Sequence, residues 1–388
     1  MTENSCFGVD PATRRAVAIR FGRTLREVED LVHGGEDLPW VAPGWIDLQV
    51  NGFAGVDFNA PDAPHDEIAR SIRVLFSTGV TRFYPTVITG PEEAMTGALR
   101  NLAAARESLP EGRAIEGFHV EGPHISPEDG PRGAHPRQWV RPPAVEEYRR
   151  WQEAARGGVR LVTVAPEVPG ALPYIEALAA EGVVVSIGHT GASSAQIADA
   201  VRAGAVMSTH LGNGAHAVMR RHPNYIWDQL AEDRLAAGFI VDGIHLPASF
   251  VKAAIRAKGT ERSILVTDAV MPAGCRPGRF RLGTIEVDLH PDDRVTLAGE
   301  NRLAGSALRM DRAIANTVRF AGVSMAEAVA MATRNPARAG RIAGRQRGLT
   351  PGERADLVEF HFDSEAGRLT VTGTWVDGER VYEGPNTA

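Results

Sequence analysis

Polar side chains stand at the ends of several short apolar segments between positions 49 and 268. They are amides, carboxylates and imidazoles: Gln49, Asn51, His119, Glu121, His189, His210, Asp242, His245 and Asp268. Imidazole nitrogen and carboxylate oxygen are ligands for zinc and iron, and a catalytic metal needs about three protein ligands and one open position. Glu121, His189 and His210 could supply these ligands. The alternative for each of them alone is a polar strand end that bonds to the backbone.

Eight short, mostly apolar segments position these residues, and helical stretches separate them. The predicted strands are 45–50, 81–85, 115–120, 161–165, 183–187, 206–210, 236–241 and 264–268. Continuous apolar runs are typical of strands buried on both faces, as in a parallel sheet. Eight such units predict an α/β fold, namely a (β/α)8 TIM-type barrel. Because active sites of such barrels lie at the carboxyl ends of the strands, the polar positions would share one mouth.

The helices between these strands are predicted at 66–77, 91–107, 145–156, 172–180, 193–203 and 248–257, with a last one at 306–320. The two ends of the chain contain short alternating segments separated by turn residues, at 16–20, 356–362, 369–374 and 380–382. These segments predict a small β-sandwich domain built from residues 1–43 and 346–388, which leaves 44–345 for the barrel. A further alternating segment at 280–303 predicts a hairpin.

The composition is that of an ordinary globular protein, with 43% hydrophobic and 23% charged residues in 388. A net charge of −6 gives no basic field for a nucleic acid or an anionic membrane. No apolar run approaches the roughly 20 residues that span a bilayer. Cys6 and Cys275 cannot build a disulfide framework, and the N-terminus lacks the layout of a secretory signal, so we expect a cytoplasmic protein. These features favour small-molecule chemistry.

Several runs of the chain match a known family in order and approximate spacing. They are PGWIDLQVNG (43–52), GFHVEGPHISPEDGPRGAHP (117–136), SIGHT (186–190), THLGNG (209–214), DGIHLP (242–247), LVTDA (265–269), LAGSALRMD (303–311) and GLTPGERADLVEF (348–360). Together they resemble the amidohydrolase superfamily and, within it, the N-acetylglucosamine-6-phosphate deacetylases. The resemblance covers about 40–381, nearly the whole chain.

The resemblance implies that Glu121, His189 and His210 hold one divalent metal ion. Relatives with two metals usually carry a His-x-His pair at the end of the first strand, where this chain has Gln49 and Asn51. Neutral amides are poor ligands, so one ion is expected. Zinc is the first candidate for it, and iron, cobalt and manganese stay open. The two amides could instead bond to neighbouring loops.

The resemblance also implies roles for residues around the metal. Asp268 corresponds to the general base that activates the metal-bound water and then protonates the leaving amine, although an Asp after a strand could also be a helix cap. His135 corresponds to a residue that polarises the amide carbonyl, and His245 to one that contacts the sugar. A metal, an Asp and a His can supply the nucleophile, oxyanion stabilisation and acid that amide hydrolysis needs.

For the phosphate of the substrate, the resemblance implies Asn213 and Gly214 and an Arg that reaches the neighbouring subunit's site. By spacing that Arg is Arg221 or Arg220, so a homodimer is expected. The segment 212–225 departs from the family pattern, and the arginines could also be a solvated pair. Four histidines stay unassigned: His119, His124, His216 and His222.

The sequence therefore predicts a metal-dependent hydrolase that removes the N-acetyl group of an amino sugar, with N-acetylglucosamine 6-phosphate first. One alternative is the same mechanism on another hexosamine, an unphosphorylated sugar or an N-acyl amino acid. The other is a catalytically silent relative that only binds a sugar.

Overall fold

The computed structural model describes residues 4–31, 38–282 and 285–385. Positions 1–3, 32–37 and 386–388 of the predicted terminal domain, and 283–284 of the predicted hairpin, lie outside the described residues. The strands are β1 (Asn4–Val9), β2 (Ala16–Phe21), β3 (Leu25–Asp30), β4 (Trp40–Pro43), β5 (Trp45–Val50), β6 (Gly52–Phe53), β7 (Val56–Asp57), β8 (Val80–Ile88), β9 (Phe118–Glu121), β10 (Val159–Val164), β11 (Val184–Ile187), β12 (Ala205–Ser208), β13 (Ala236–Phe239), β14 (Ser263–Leu265), β15 (Gly278–Leu282), β16 (Ile285–Leu289), β17 (Arg294–Leu297), β18 (Leu303–Ser306), β19 (Leu357–Asp363), β20 (Arg368–Val376) and β21 (Glu379–Glu383).

The helices are α1 (His65–Phe76), α2 (Glu92–Ser108), α3 (Val145–Ala154), α4 (Ala171–Ala180), α5 (Ser194–Ala203), α6 (Tyr225–Ala231), α7 (Ala248–Lys258), α8 (Met310–Ala321), α9 (Met325–Met331) and α10 (Arg334–Ala339). The sequence specifies their ends locally. Ser193 and Gln196 form a capping box at the start of α5, and Gly204 ends it at a φ of 119°. Among the helices in the described ranges, none is long and apolar enough to cross a membrane.

The barrel is an eight-stranded parallel sheet in the order β5-β8-β9-β10-β11-β12-β13-β14. Its first and last strands meet through a parallel bridge between Val50 and Ala269. The backbone N–H of Asn51 donates to the carbonyl of Ala269 at 2.7 Å, and that of Asp268 donates to the carbonyl of Gln49 at 3.0 Å. The predicted barrel and its eight strands are confirmed.

Four of the predicted strands end earlier than expected. The segment 161–165 ends at Val164 and 236–241 at Phe239, and the other two carry predicted site residues. The segments 206–210 and 264–268 were predicted as strands to their last residue, but β12 ends at Ser208 and β14 at Leu265. His210 and Asp268 have φ angles of 26° and 51°, which an extended strand does not allow. Both side chains therefore stand on the turns that follow their strands.

The predicted helices are confirmed with small shifts, except the last. Residues 306–320 were predicted as one helix, but Ser306 pairs with Arg294 at the end of β18, and α8 begins only at Met310. The short helices α6, α9 and α10 were not predicted. The predicted hairpin at 280–303 is larger than expected, because β15 to β18 form a four-stranded antiparallel sheet.

Both chain ends form one seven-stranded sheet, in the order β21-β20-β19-β4-β1-β2-β3. The rings of Phe21 on β2 and Trp375 on β20 lie 6.3 Å apart, although three strands separate these two in the hydrogen-bonded order. A flat sheet would put them roughly 19 Å apart at about 4.8 Å per strand, so the sheet folds back on itself around a small core. This is the expected small β-sandwich from both termini. The domain boundaries at 43/44 and 345/346 stay a prediction.

Candidate metal centre and active site

Glu121, His189 and His210 meet at the mouth of the barrel, at the carboxyl ends of three of its strands. Glu121 is the last residue of β9, and the two histidines follow β11 and β12 by two residues each. The Nε2 atoms of His189 and His210 lie 3.1 and 3.0 Å from Oε1 of Glu121, and 3.1 Å from each other. All three side chains are buried. In the described part of the chain, they form the one group of this kind that could hold a metal ion.

The donor atoms fit a cation better than they fit each other. Nδ1 of His189 lies 2.8 Å from the carbonyl oxygen of Pro131, which can only accept, so this nitrogen carries the proton. In the neutral ring Nε2 of His189 then has no proton, so two hydrogen-bond acceptors, this nitrogen and the Glu121 carboxylate, are in contact. A cation between them removes this repulsion. The spacings of 3.0 to 3.1 Å are also close to the roughly 3.3 Å expected for bonds of about 2.0 Å at a tetrahedral angle.

The Glu121 carboxylate is ionised in this setting. Burial raises its pKa, but the neighbouring imidazoles of His189 and His210 outweigh this effect and hold the pKa well below its usual value. A charged oxygen on a strand end buried among imidazoles is therefore ready to bind a divalent ion.

The amides of Gln49 and Asn51 bond to carboxylates of the site rather than to neighbouring loops. The Gln49 Nε2 group donates to both carboxylate oxygens of Glu121 and to Oδ1 of Asp268, each at 3.0 Å. Asn51 Nδ2 donates to the same Oδ1 at 2.6 Å. Gln49 thus bridges two acidic side chains that would otherwise repel each other.

Asp268 stands beside the triad on the turn after β14. Burial, followed by the negative charge of Glu121, raises its pKa to about 6. In the described residues no helix begins near it, since α8 starts only at Met310, so the helix-cap alternative for Asp268 is wrong. Both of its bonds to the amides use Oδ1, and Oδ2 takes no hydrogen bond from the described residues. One oxygen is therefore anchored and the other is open to the pocket.

The backbone is left-handed at three of these residues. The φ angles of His189, His210 and Asp268 are 49°, 26° and 51°. Such values are uncommon outside glycine and cost free energy that the surrounding structure must supply. Their concentration at one mouth indicates that the turns are held for the sake of the side chains they aim.

One cavity of about 1440 Å³ contains the triad and most of the other predicted residues. The predicted residues in its wall are Asn51, Glu121, His135, His189, His210, Asn213, Gly214, His245 and Asp268. Arg220 and Arg221 are exposed and do not line this cavity. The wall also includes Thr89 and residues of the β15–β18 sheet, which the sequence did not point to.

The two histidines predicted to meet the substrate contact different partners. Nδ1 of His135 lies 2.7 Å from the hydroxyl of Thr89, and its ring packs against His189 with centroids 4.3 Å apart. Burial, followed by the charge of His189, lowers the His135 pKa to about 3. Nδ1 of His245 lies 2.6 Å from Oδ2 of Asp242.

Four histidines lie away from the triad. His119 is buried behind the site, 2.7 Å from the Thr163 hydroxyl. His124 is buried in the core, where its ring packs against those of Trp151 and Tyr174. His216 bonds to Glu128 and Tyr225 at the rim, at 3.0 and 2.9 Å. His222 is exposed.

Comparison with known proteins finds close relatives over most of the chain. The amidohydrolase family model matches residues 40–381. N-acetylglucosamine-6-phosphate deacetylase of Bacillus subtilis is 35% identical over 83% of this chain and 81% of the relative. The enzyme of the same name from Bos taurus is 37% identical over 88% and 83%. N-acetylgalactosamine-6-phosphate deacetylase of Escherichia coli O157:H7 is 34% identical over 88% of each.

Solved structures show the same architecture. A mutant N-acetyl-D-glucosamine-6-phosphate deacetylase from Mycobacterium smegmatis, in complex with N-acetyl-D-glucosamine-6-phosphate, superimposes with a TM-score of 0.85. It is 30% identical, and the match covers 95% of each chain. The deacetylase from Thermotoga maritima gives a TM-score of 0.85 at 26% identity, over 99% of this chain and 100% of that one.

Proposed function

Because the chain belongs to the amidohydrolase family, we propose that it hydrolyses the N-acetyl amide of an amino sugar 6-phosphate, N-acetylglucosamine 6-phosphate first. Water is consumed, the C–N bond breaks, and acetate and the amino sugar phosphate are released. The observation that carries this proposal is the convergence of Glu121, His189 and His210 with Asp268 in one cavity. A second substrate, the galactosamine epimer, is supported by the relative that acts on it.

Glu121, His189 and His210 would hold one divalent ion, with zinc first because its tetrahedral site matches the ligand spacing. Iron, cobalt and manganese are accepted by the same ligand types. When bound, the ion supplies a Lewis acid for the carbonyl and lowers the pKa of a coordinated water. The amides of Gln49 and Asn51 face carboxylates as donors, which supports one ion rather than two.

Asp268 would serve as the general base and then as the acid. Its Oδ1 is held by two amide groups, so Oδ2 takes the proton from water and returns it to the leaving nitrogen. A pKa raised to about 6 keeps the group charged at neutral pH while matching it to proton transfer. His135 would polarise the amide carbonyl, and His245 would contact the sugar.

The phosphate would be bound by Asn213 and Gly214 of this chain and by Arg221 of a second copy. Arg221 is exposed and outside its own pocket, as an arm that reaches another subunit must be. Beside it Val218 is 90% and Trp227 53% exposed, and apolar groups of this kind are typical of an interface. We therefore propose a homodimer. Two free cysteines, Cys6 and Cys275, fit a reducing cytoplasm.

Acetate release tests the proposal and separates its alternatives. The metal-loaded protein is incubated with N-acetylglucosamine 6-phosphate, its galactosamine epimer, unphosphorylated N-acetylglucosamine and an N-acetyl amino acid. We expect the highest kcat/KM for the glucosamine phosphate and a large loss without the phosphate. Higher turnover of the epimer, the free sugar or the amino acid would assign that substrate instead. A protein that holds metal and binds sugar without releasing acetate would be the silent relative.

A further inference from the structure

The two pocket histidines that would face the substrate are held through the same ring atom by partners of different chemistry. In a neutral imidazole one ring nitrogen donates and the other accepts, so the partner of Nδ1 decides what Nε2 offers. The partner is the Thr89 hydroxyl for His135 and the Asp242 carboxylate for His245.

The Thr89 hydroxyl points its proton at His135. The residue is 3% exposed, and its Oγ1 has no other hydrogen-bond partner within residues 4–31, 38–282 and 285–385. A buried hydroxyl group almost always donates a hydrogen bond, and Nδ1 of His135 lies within hydrogen-bond distance of it, at 2.7 Å. Gly122 allows this approach, because a Cβ there would lie 2.2 Å from the same oxygen. Nε2 of His135 therefore carries the ring proton.

Asp242 imposes the reverse arrangement on His245. Its Oδ1 accepts the backbone N–H groups of Ile244 and His245, both at 2.8 Å. Oδ2 lies 2.6 Å from Nδ1 of His245, and both side chains are less than a tenth exposed. A carboxylate can only accept, so Nδ1 carries the proton and Nε2 of His245 is bare.

We propose that Thr89 and Asp242 are positioning residues that hold His135 and His245 in opposite tautomers, one a hydrogen-bond donor to the substrate and the other an acceptor. His135 offers an Nε2–H to the amide carbonyl oxygen, which gains negative charge during hydrolysis. His245 offers a bare Nε2 to a sugar hydroxyl, which can donate. A phosphate monoester is mostly the dianion at neutral pH, so a bare Nε2 of His245 favours a sugar hydroxyl over the phosphate. The roles toward substrate rest on the proposed function, whereas the tautomers do not.

Nitrogen NMR of ¹⁵N-histidine-labelled, metal-loaded protein without substrate tests the tautomers directly, with His135→Gln and His245→Gln used to assign the signals. We expect the proton on Nε2 of His135 and on Nδ1 of His245. The same tautomer at both rings would overturn the inference. Because no substrate is present, this result is independent of the proposed reaction.

Two substitutions at Thr89 separate the hydroxyl from its bulk. Thr89→Val keeps the shape and removes the donor, so kcat should fall by about 100-fold, the order expected for a lost oxyanion donor, with KM and metal content near wild type. Thr89→Ser restores the hydroxyl and most of kcat. Equal turnover in Thr89→Val and wild type would refute the role of Thr89. If wild type itself releases no acetate, the proposed function fails and the tautomer result still stands.

Asp242→Asn tests whether Asp242 sets the tautomer of His245. Its oxygen stays with the two backbone N–H groups, so its NH₂ faces Nδ1 of His245 and the ring proton moves to Nε2. We expect KM for the sugar substrate to rise about tenfold or more with a smaller change in kcat, since a hydroxyl contact of this kind contributes to binding. Asp30→Asn, which alters an exposed pair with Arg15, is the matched control. An unchanged KM, or a His245 proton that stays on Nδ1, would contradict the role of Asp242.

Discussion

Two clusters of buried charged side chains lie at opposite ends of the barrel strands. One is the triad with Asp268 at the carboxyl ends. The other joins Arg82, near the start of β8, to Arg345 and Asp356 at the junction with the terminal sheet. Both clusters lie in a low-dielectric interior, where an unbalanced charge is costly.

The second cluster is satisfied by the protein itself. Arg82 binds Asp356 through Nε and Nη2 at 2.8 and 3.0 Å, and its Nη2 also donates to Asp377 at 2.7 Å. Arg345 donates to Oδ2 of Asp356 at 2.5 Å, the oxygen that also accepts from Nε of Arg82, and to the Gly44 carbonyl. The guanidinium groups of the two arginines are thus paired with carboxylates of opposite charge in hydrogen-bonded contacts.

The active-site cluster is not satisfied in this way. Two carboxylates, Glu121 and Asp268, share the donors of Gln49 and Asn51, and two imidazole nitrogens point at one carboxylate oxygen. In the described residues no arginine or lysine pairs with either acid. Charges that are balanced within the protein stabilise the fold, whereas the unbalanced carboxylates of the active-site cluster suit the proposed cation and substrate.

The largest expected effect is on turnover. Asp268→Asn removes the proposed base but keeps the shape and the metal ligands, so we expect kcat to fall about 10³- to 10⁴-fold. Metal content should be unchanged, and stability equal or higher, because the repulsion with Glu121 is gone. Acetate release, elemental analysis and denaturant unfolding measure the three. Substantial residual hydrolysis would rule out the assigned role.

Asp356→Asn should have the opposite profile. It leaves Arg82 and Arg345 buried without their shared carboxylate, so we expect a loss of about 3 to 5 kcal/mol in the free energy of unfolding. The kcat of the folded fraction should stay near wild type. Asp30→Asn, at an exposed ion pair, should cost less than about 1 kcal/mol under the same conditions. A loss as small as that of the control would show that the junction cluster does not hold the fold.

Metal removal should affect the active-site cluster alone. A chelator removes the ion and restores the contacts between acceptor atoms in the triad. A metal that binds only the folded state stabilises it by about 3 kcal/mol when the free metal concentration is a hundred times Kd. Unfolding curves with and without added zinc should differ by about this amount. The increment should be the same in Asp356→Asn, since distant sites add. Identical curves for apo and loaded protein would be evidence against a metal at the triad.

The smallest effect is the pH dependence of the junction. The pKa of Asp356 is lowered from 3.8 to about 2, because Arg345 and Arg82 outweigh its burial. As the pH falls, the Asp356 carboxyl is therefore protonated in the unfolded chain before it is protonated in the folded protein. A stabilisation of about 2 kcal/mol is complete above about pH 4 and is lost as the pH falls through about 2. The stability difference between wild type and Asp356→Asn should shrink by that amount on acidification. A pH-independent difference would contradict this linkage.

The sequence was sufficient for much of this picture. Apolar runs separated by helical stretches place all eight barrel strands, because burial on both faces leaves a strong compositional signal. The rule that catalytic residues follow such strands then brings Glu121, His189, His210 and Asp268 together. The alternating segments at both ends likewise predict the terminal domain.

The rest depends on contacts between segments far apart in the chain. Nothing local shows that His210 and Asp268 adopt left-handed backbone, which shortened two predicted strands. The bonds from Gln49 to two carboxylates follow only from closure of the barrel. Thr89 is an ordinary strand-end threonine until His135 folds onto it. Helix α6 is only seven residues long, which is too short for a recognisable helical periodicity of apolar residues.

The seam between the first and last strands also sets an order of events during synthesis and refolding. All three proposed metal ligands are in the chain once residue 210 is made, whereas the bond from Gln49 to Asp268 joins positions 219 apart. An unfinished chain that ends between them has the whole ligand set but neither the base nor the seam. Contacts of such long range carry a high entropic cost and form late. Metal uptake and turnover should therefore be separable in time during refolding, and the return of turnover reports the moment the barrel closes.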